Sequence, residues 1–333
     1  MTSSRLTAPL LLLALGIVAL ALFAMTIGAY RLDLADILAV VLGQAVSDSQ
    51  AGIVIWSIRL PRVLGALALG ACLAAAGAVY QQIFRNPLVS PDILGVSAGA
   101  GLGAVIGIFL SLPVIGIQML AFVGGLAAVG AVMGLAAGIR RQDTVLVLVL
   151  AGVVIGALAG SATSLLKVLA DPYDQLPAIT FWLLGSLAAT AGSDIMAALP
   201  FAMVALVPLV LLRHKVDVLA MGDEEARALG VDTGRIRIIL IVAATLITAS
   251  VVSFAGVVGW VGLIIPHFAR MLVGPSFHRL LPTAILIGAG FMLIVDTIAR
   301  TIAVKEVPLG ILTAVIGAPV FVYLLARGRR AWS

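Results

Sequence analysis

The chain has 333 residues, of which 62% are hydrophobic and 11% charged, with a formal net charge of +5 and a mean hydropathy of +1.23. A soluble domain carries about 25% charged residues, so this composition excludes a water-soluble globule. It also excludes an open sheet, whose edge amides would go unpaired in lipid, and a barrel, whose strands would alternate apolar with polar residues.

What remains is an all-α integral membrane protein, one compact bundle over residues 1–333. Arg5 precedes an apolar stretch over residues 8–29. Its length of about 20 residues exceeds the roughly 7–15 of a signal-peptide core, so it reads as a retained first helix. Apolar runs bounded by charges or Gly/Pro turns then predict about ten transmembrane helices, over 8–30, 62–84, 93–111, 114–138, 144–169, 195–212, 236–255, 259–272, 281–303 and 309–326. The eighth is short for a span at about 1.5 Å per residue.

Ten spans put both termini on one side. Arg5, Arg85, Arg140, Arg141, Arg213, Lys215, Arg227, Arg235, Arg237, Arg270, Arg279, Arg327, Arg329 and Arg330 fall on that side. Arg31, Arg59, Arg62, Lys167, Arg300 and Lys305 fall on the other. The bias predicts cytoplasmic termini, and the net charge then reports topology, with no case for nucleic acid as a partner.

The second run is bracketed by two motifs. R-L-P-R (59–62) stands at one end and R-N-P-L-V-S-P-D-I-L-G-V-S-A-G-A (85–100) at the other, with about 22 uncharged residues between them, enough for a bilayer core of about 30 Å. Pro87 and Pro91 exclude helix before them and fix a turn. Glycines recur every fourth residue at 99, 103, 107, at 130, 134, 138 and at 152, 156, 160, which predicts close helix packing.

The search for chemistry is mostly negative. No G-x-x-x-x-G-K-[ST] occurs, so ATP hydrolysis, if it drives this protein, belongs to another subunit. His214, His267 and His278 lack metal-ligand spacing, and the lone Cys72 reads as a small buried hydrophobe. Asp296 and Arg300, four apart, suit a local ion pair, and Glu306 a solvated or paired position. Lys167 either snorkels outward or lines a path for an anion.

The largest polar stretch is 213–237. Within it Asp223 suits an N-cap, Glu224 and Glu225 a first turn, Gly230 a C′ stop, and Ala226 with Leu229 a small apolar face. It predicts a short cytoplasmic helix, a docking element rather than a connector.

The two motifs around the second run, together with M-G-D-E-E-A-R-A-L-G-V (221–231), G-W-V-G-L-I-I-P-H-F-A-R (259–270) and V-P-L-G-I-L-T-A-V-I-G-A-P-V-F (307–321), resemble the permease subunits of type II ABC importers for ferric siderophores, haem and cobalamin. The resemblance covers nearly the whole chain. It implies a permease dimer, homodimeric or heterodimeric, in a bacterial or archaeal cytoplasmic (inner) membrane. It also implies two cytoplasmic ATPase subunits that bind ATP and Mg, this chain holding no cofactor of its own, and a periplasmic or lipid-anchored solute-binding protein.

The resemblance implies roles as well. Asn86, Pro87 and Leu88 would form a cytoplasmic gate. Thr144, Val145 and Leu146 would form a second constriction, although the family's small polar residues are replaced at 145 and 146. Met221, Gly222, Asp223, Glu224, Glu225, Ala226, Arg227, Ala228, Leu229 and Gly230 would couple to the ATPase. Arg59, Arg62 and Arg300 would receive acidic residues of the binding protein, lipid-phosphate anchoring being the alternative for Arg59 or Arg62 alone. The cargo would be a metal chelate, with ferric siderophore, haem, cobalamin and a molybdate-type oxyanion all open. A different class, an ion-coupled secondary transporter using Asp296, fits less well because few carboxylates lie mid-span.

Overall fold

A computed structural model describes residues 4–28, 30–44, 50–139 and 144–327. Every regular element among them is helical. In chain order they are α1 (Ser4–Thr26), α2 (Leu34–Val41), α3 (Ala51–Ile83), α4 (Val96–Phe109), α5 (Val114–Gly138), α6 (Thr144–Leu169), α7 (Gln175–Leu184), α8 (Gly192–Leu211), α9 (Arg213–Leu219), α10 (Asp223–Ala228), α11 (Thr233–Ala255), α12 (Val261–Val273), α13 (Phe277–Ala299) and α14 (Leu309–Arg327). A single 3-10 turn, Pro91–Leu94, leads into α4.

Each of the ten expected apolar runs is helical, but among the described residues seven helices are long and apolar enough to cross a bilayer: α1, α3, α5, α6, α8, α11 and α13. The runs at 93–111, 259–272 and 309–326 fold as the shorter apolar helices α4, α12 and α14. Proline and glycine shorten the first, since Pro91 and the left-handed Gly95 interrupt helix until Val96. α7 was not among the expected runs, since Asp171, Pro172, Asp174 and Pro177 interrupt the apolar pattern before it. Asp171 makes a turn there, accepting the Tyr173 and Asp174 amides, and the helix starts behind it.

The middle of the bundle is α3. It packs against α13, α11 and α12, while α4, α5 and α6 form a second group joined to it through α11. Lipid gives helices no hydrophobic reason to associate, so close contact has to come from small residues and buried hydrogen bonds. At the α3–α13 crossing, a Cβ on Gly70 would sit 2.0 Å from the Gly288 carbonyl oxygen, and one on Gly288 2.3 Å from that of Gly70. Between α3 and α11, the Tyr80 hydroxyl lies 3.3 Å from that of Thr245, which itself donates to the Ile241 carbonyl at 2.7 Å.

The three glycine series behave differently. Gly99, Gly103 and Gly107 of α4 all lie against α5 backbone or side chains, as expected. Gly152 lies under the Ile93 carbonyl, but Gly130, Gly134, Gly138, Gly156 and Gly160 have open space where a Cβ would go. The expectation of tight packing within the chain is therefore corrected for those five, whose faces lie on the outside of the single chain.

Candidate functional site

Two polar clusters mark the two ends of α3. The helix begins at Ala51 rather than near Arg62, because the residues before Arg59 are as apolar as those after it. Pro61 has no N–H to give to the preceding turn, and that turn widens into a π-helix over Val54–Arg59. Arg59 and Arg62, three apart, consequently face the same way.

Arg59 donates through both terminal nitrogens to the carbonyls of Met25 and Tyr30. Arg300 does the same to Ala24 and Ile27. The last carbonyls of a helix lack intrahelical partners, so these two guanidiniums complete the end of α1 and favour its dipole. Arg62 does something else. Its Nε donates to both Asp296 oxygens at 2.9 and 3.1 Å, its Nη1 to Glu306 Oε2 at 2.9 Å, and its Nη2 lies 2.9 Å from an oxygen of each.

Asp296 is fully buried and Arg59 is 5% exposed. The expected Asp296–Arg300 ion pair exists, but at 3.7 Å it is the looser of the two that Asp296 makes. All three arginines line a cavity of about 290 Å³ together with Gly28, Tyr30 and Ile58. The sequence pointed to Arg59, Arg62 and Arg300 as a set. It did not identify Glu306 as the partner of Arg62; the one signal was a carboxylate beside Pro308 in a turn with no other acid.

The opposite end of α3 lies about 30 Å away by helix rise. Gln81 donates to the Leu263 carbonyl at 2.8 Å and Gln82 to that of Pro275 at 3.2 Å, while Arg270 of α12 reaches both glutamine oxygens. After Ile83 the chain turns sharply, with Arg85 in the left-handed region (φ 49). Asn86 Oδ1 accepts the Leu88 amide at 2.9 Å, and Leu88 is exposed while Val89 is buried. Asn86, Pro87 and Leu88 thus form an Asx-type turn held by its own side chain.

α10 stands beside this turn: a Cβ on Gly222 would lie 3.5 Å from Arg85 Nη1. Gly222, not Asp223, is the N-cap; Asp223 is the first helical residue and spends its carboxylate on Arg237 of α11, at 2.8 Å. The hydrogen bond from Arg237 holds the Asp223 carboxyl below its ordinary value. Gly230 (φ 77) ends the helix as expected. The expected shared face is corrected: Ala226 is buried in the body and Leu229 is 62% exposed. Asp217 of α9, which sequence reasoning passed over, accepts the Phe277 amide at 2.6 Å and joins this region to the start of α13.

Of the second expected constriction, the Thr144 side chain lies outside the described residues. Val145 is half-buried and Leu146 exposed on the first turn of α6. Lys167 is half-buried near the last turn of that helix. Among the described residues no group of His, Cys, Asp and Glu is arranged to hold a metal ion, and Cys72 is buried.

A helical body with several bilayer-length spans and polar clusters at both ends has the architecture of an integral membrane protein. The FecCD transport family profile matches residues 14–327, and the chain belongs to that family. It is 43% identical over 276 residues to the cobalamin import system permease protein of Halobacterium salinarum, covering 83% of this chain and 74% of that one. It is 38% identical over 323 residues to the molybdate import system permease protein of Haemophilus influenzae, covering 95% of each. Among solved structures it resembles an inward-facing metal-chelate type ABC transporter, with 36% identity, a TM-score of 0.85 and coverage of 96% and 99%.

Proposed function

We propose that this chain is the membrane-spanning subunit of an ATP-driven, binding-protein-dependent importer whose cargo is a metal chelate. The observation that carries the reading is the layout of α3, with an arginine-lined cavity at one end and the Asn86-Pro87-Leu88 turn beside α10 at the other. On this reading the arginine end is extracellular or periplasmic and receives acidic side chains of a solute-binding protein. The α10 end is cytoplasmic, as are both termini, and the ten apolar helices all belong to the membrane domain.

Met221 to Gly230 then transmit movement from two ATPase subunits, which bind ATP and Mg, to the Asn86–Leu88 gate, with Thr144–Leu146 as the second constriction. A second copy of the chain completes the pathway, and Lys167 of each copy faces it. The names of the relatives support a chelate or oxyanion cargo, with ferric siderophore or haem, cobalamin and molybdate as the candidates.

An ion-coupled carrier would need a carboxylate that is available to a proton, and Asp296 is committed to Arg62. The deciding experiment is reconstitution in liposomes with the neighbouring ATPase and binding protein. Uptake that requires ATP and the binding protein supports the reading; uptake that follows a proton gradient without ATP would overturn it.

A further inference from the structure

Arg62 holds two carboxylates that are not equivalent. Asp296, on α13, is fully buried and occupies the Nε side of the guanidinium. Glu306, in the turn before α14, sits at the rim with 17% of its side chain exposed and occupies the terminal nitrogens. Glu306 also reaches across to another segment, where its Oε1 accepts from the Ser186 hydroxyl at 3.0 Å. That hydroxyl in turn accepts the Ala188 amide at 3.0 Å, and the Ser186 amide donates to the Ala255 carbonyl at the end of α11. One carboxylate therefore ties α3 to the loop between α7 and α8.

We propose that Glu306 is a built-in occupant of the arginine site, displaced from Arg62 when an acidic side chain of a docking protein enters, and that the exchange cuts the polar link between the Ser186 loop and α3, leaving the loop held there by the packing of Leu187 and Thr190 beside Gly65. The inference rests on the docking reading above and adds a regulatory step to it. Charge favours an exchange over a simple addition or a vacancy. Three guanidiniums face two carboxylates, so the cavity attracts an anion, but Nη1 of Arg62 already donates to Glu306 and Nη2 lies 2.9 Å from an oxygen of each carboxylate.

A guest carboxylate that replaces Glu306 leaves Arg62 paired throughout, because Asp296 stays on Nε. Breaking a buried pair with no replacement would instead leave a charge uncompensated. Arg59 and Arg300 are engaged with carbonyls in and just after α1, so Arg62 is the member of the set whose partner is a partly exposed carboxylate. What docking changes is then the attachment of the loop: the hydrogen bond from Ser186 loses its link to α3, while the Leu309 amide remains on the Gly185 carbonyl at 2.9 Å.

The test uses the assembled transporter, with its ATPase subunits, in nanodiscs and the purified cognate binding protein. Affinity is measured for wild type, Glu306→Gln and Arg62→Glu, and spin labels at Ala188 and Leu64 report the separation of the loop from α3. Glutamine keeps the shape and the Ser186 acceptor but is a weak competitor for a guanidinium. Glu306→Gln is expected to tighten docking about five- to tenfold by removing an occupied state, and to show without binding protein the wider separation that wild type reaches on docking. An affinity that is unchanged or weaker, or a separation that docking leaves unmoved in wild type, overturns the exchange. Arg62→Glu separates this from the reading beneath it: wild-type docking by that variant removes the docking reading itself, whereas lost docking alongside an unaltered Glu306→Gln removes only the exchange.

Discussion

Arg62 and Asp296 stand 234 residues apart in sequence, yet one nitrogen of the first donates to both oxygens of the second, at 2.9 and 3.1 Å. The pair joins α3 to α13 at the end opposite Gln81 and Gln82, and Asp296 is shielded completely from solvent. Such a pair adds little to stability as a whole, since both charges lost hydration to make it, but removing one partner strands the other. Asp296→Ala is expected to lower stability by about 3–5 kcal/mol, read as a fall in the thermal midpoint of the detergent-solubilised protein. The double variant Asp296→Leu with Arg62→Leu is expected to recover most of that loss, and a double variant no more stable than the single would contradict the account.

The same two helices meet at Gly70 and Gly288, where there is no room for a side chain. Gly70→Ala places a methyl 2.0 Å from a backbone carbonyl, which cannot rotate away as a side chain would. The expected cost lies at or above the upper part of the about 1–3 kcal/mol range for overpacking. Gly130→Ala, with open space around it, is expected to change the stability of the isolated chain by less than about 0.5 kcal/mol. Thermal stability of the two variants in the same detergent decides this, and equal losses would contradict the packing argument.

Asp223 gives a pH dependence with a definite sign. Its folded value lies below the ordinary carboxylate value because Arg237 donates to it. The contribution to holding α10 on α11 is therefore complete above the unfolded value of about 3.9 and lost as pH falls through the lowered folded one. A spin label at the exposed Leu229 is expected to keep its mobility unchanged from about pH 7 to about pH 5 and to loosen only below about pH 3.9. Asp223→Asn should be loose throughout this range. A transition centred near neutral pH would point to some other group.

How much was readable beforehand depended on the range of the interaction. Helical runs were legible because apolar length is a local property, and so was the R-N-P-L turn, where proline dictates geometry through its immediate neighbours; R-L-P-R instead lies within the continuous helix α3. Partners across the bundle were not. Nothing near Arg62 names Glu306, and nothing near Asp217 names the Phe277 amide, because both contacts are set by helix crossings that only the assembled body determines. Glycine spacing predicted a packable face without saying which face would be covered, so Gly99, Gly103 and Gly107 met α5 while Gly130, Gly134 and Gly138 met nothing among the described residues. α7 was missed because a proline-rich approach and a helix beginning inside it look alike in one dimension.

The six residues of α10 are fixed by an ion pair at the first, Asp223, and a buried Ala226 further along. Ala226 donates its amide to the Gly222 carbonyl at 2.9 Å, so Ala226→Pro both removes that bond and drives a ring into the preceding turn, at a local cost of about 3 kcal/mol. The bundle does not depend on so short a helix, and the permease should still assemble with its ATPase. If α10 carries motion from the nucleotide subunits to the Asn86-Pro87-Leu88 turn beside it, the variant should hydrolyse ATP while importing little or nothing. Measuring hydrolysis and uptake in the same proteoliposomes separates the outcomes. Retained coupling in Ala226→Pro would reduce α10 to a connector between α9 and α11.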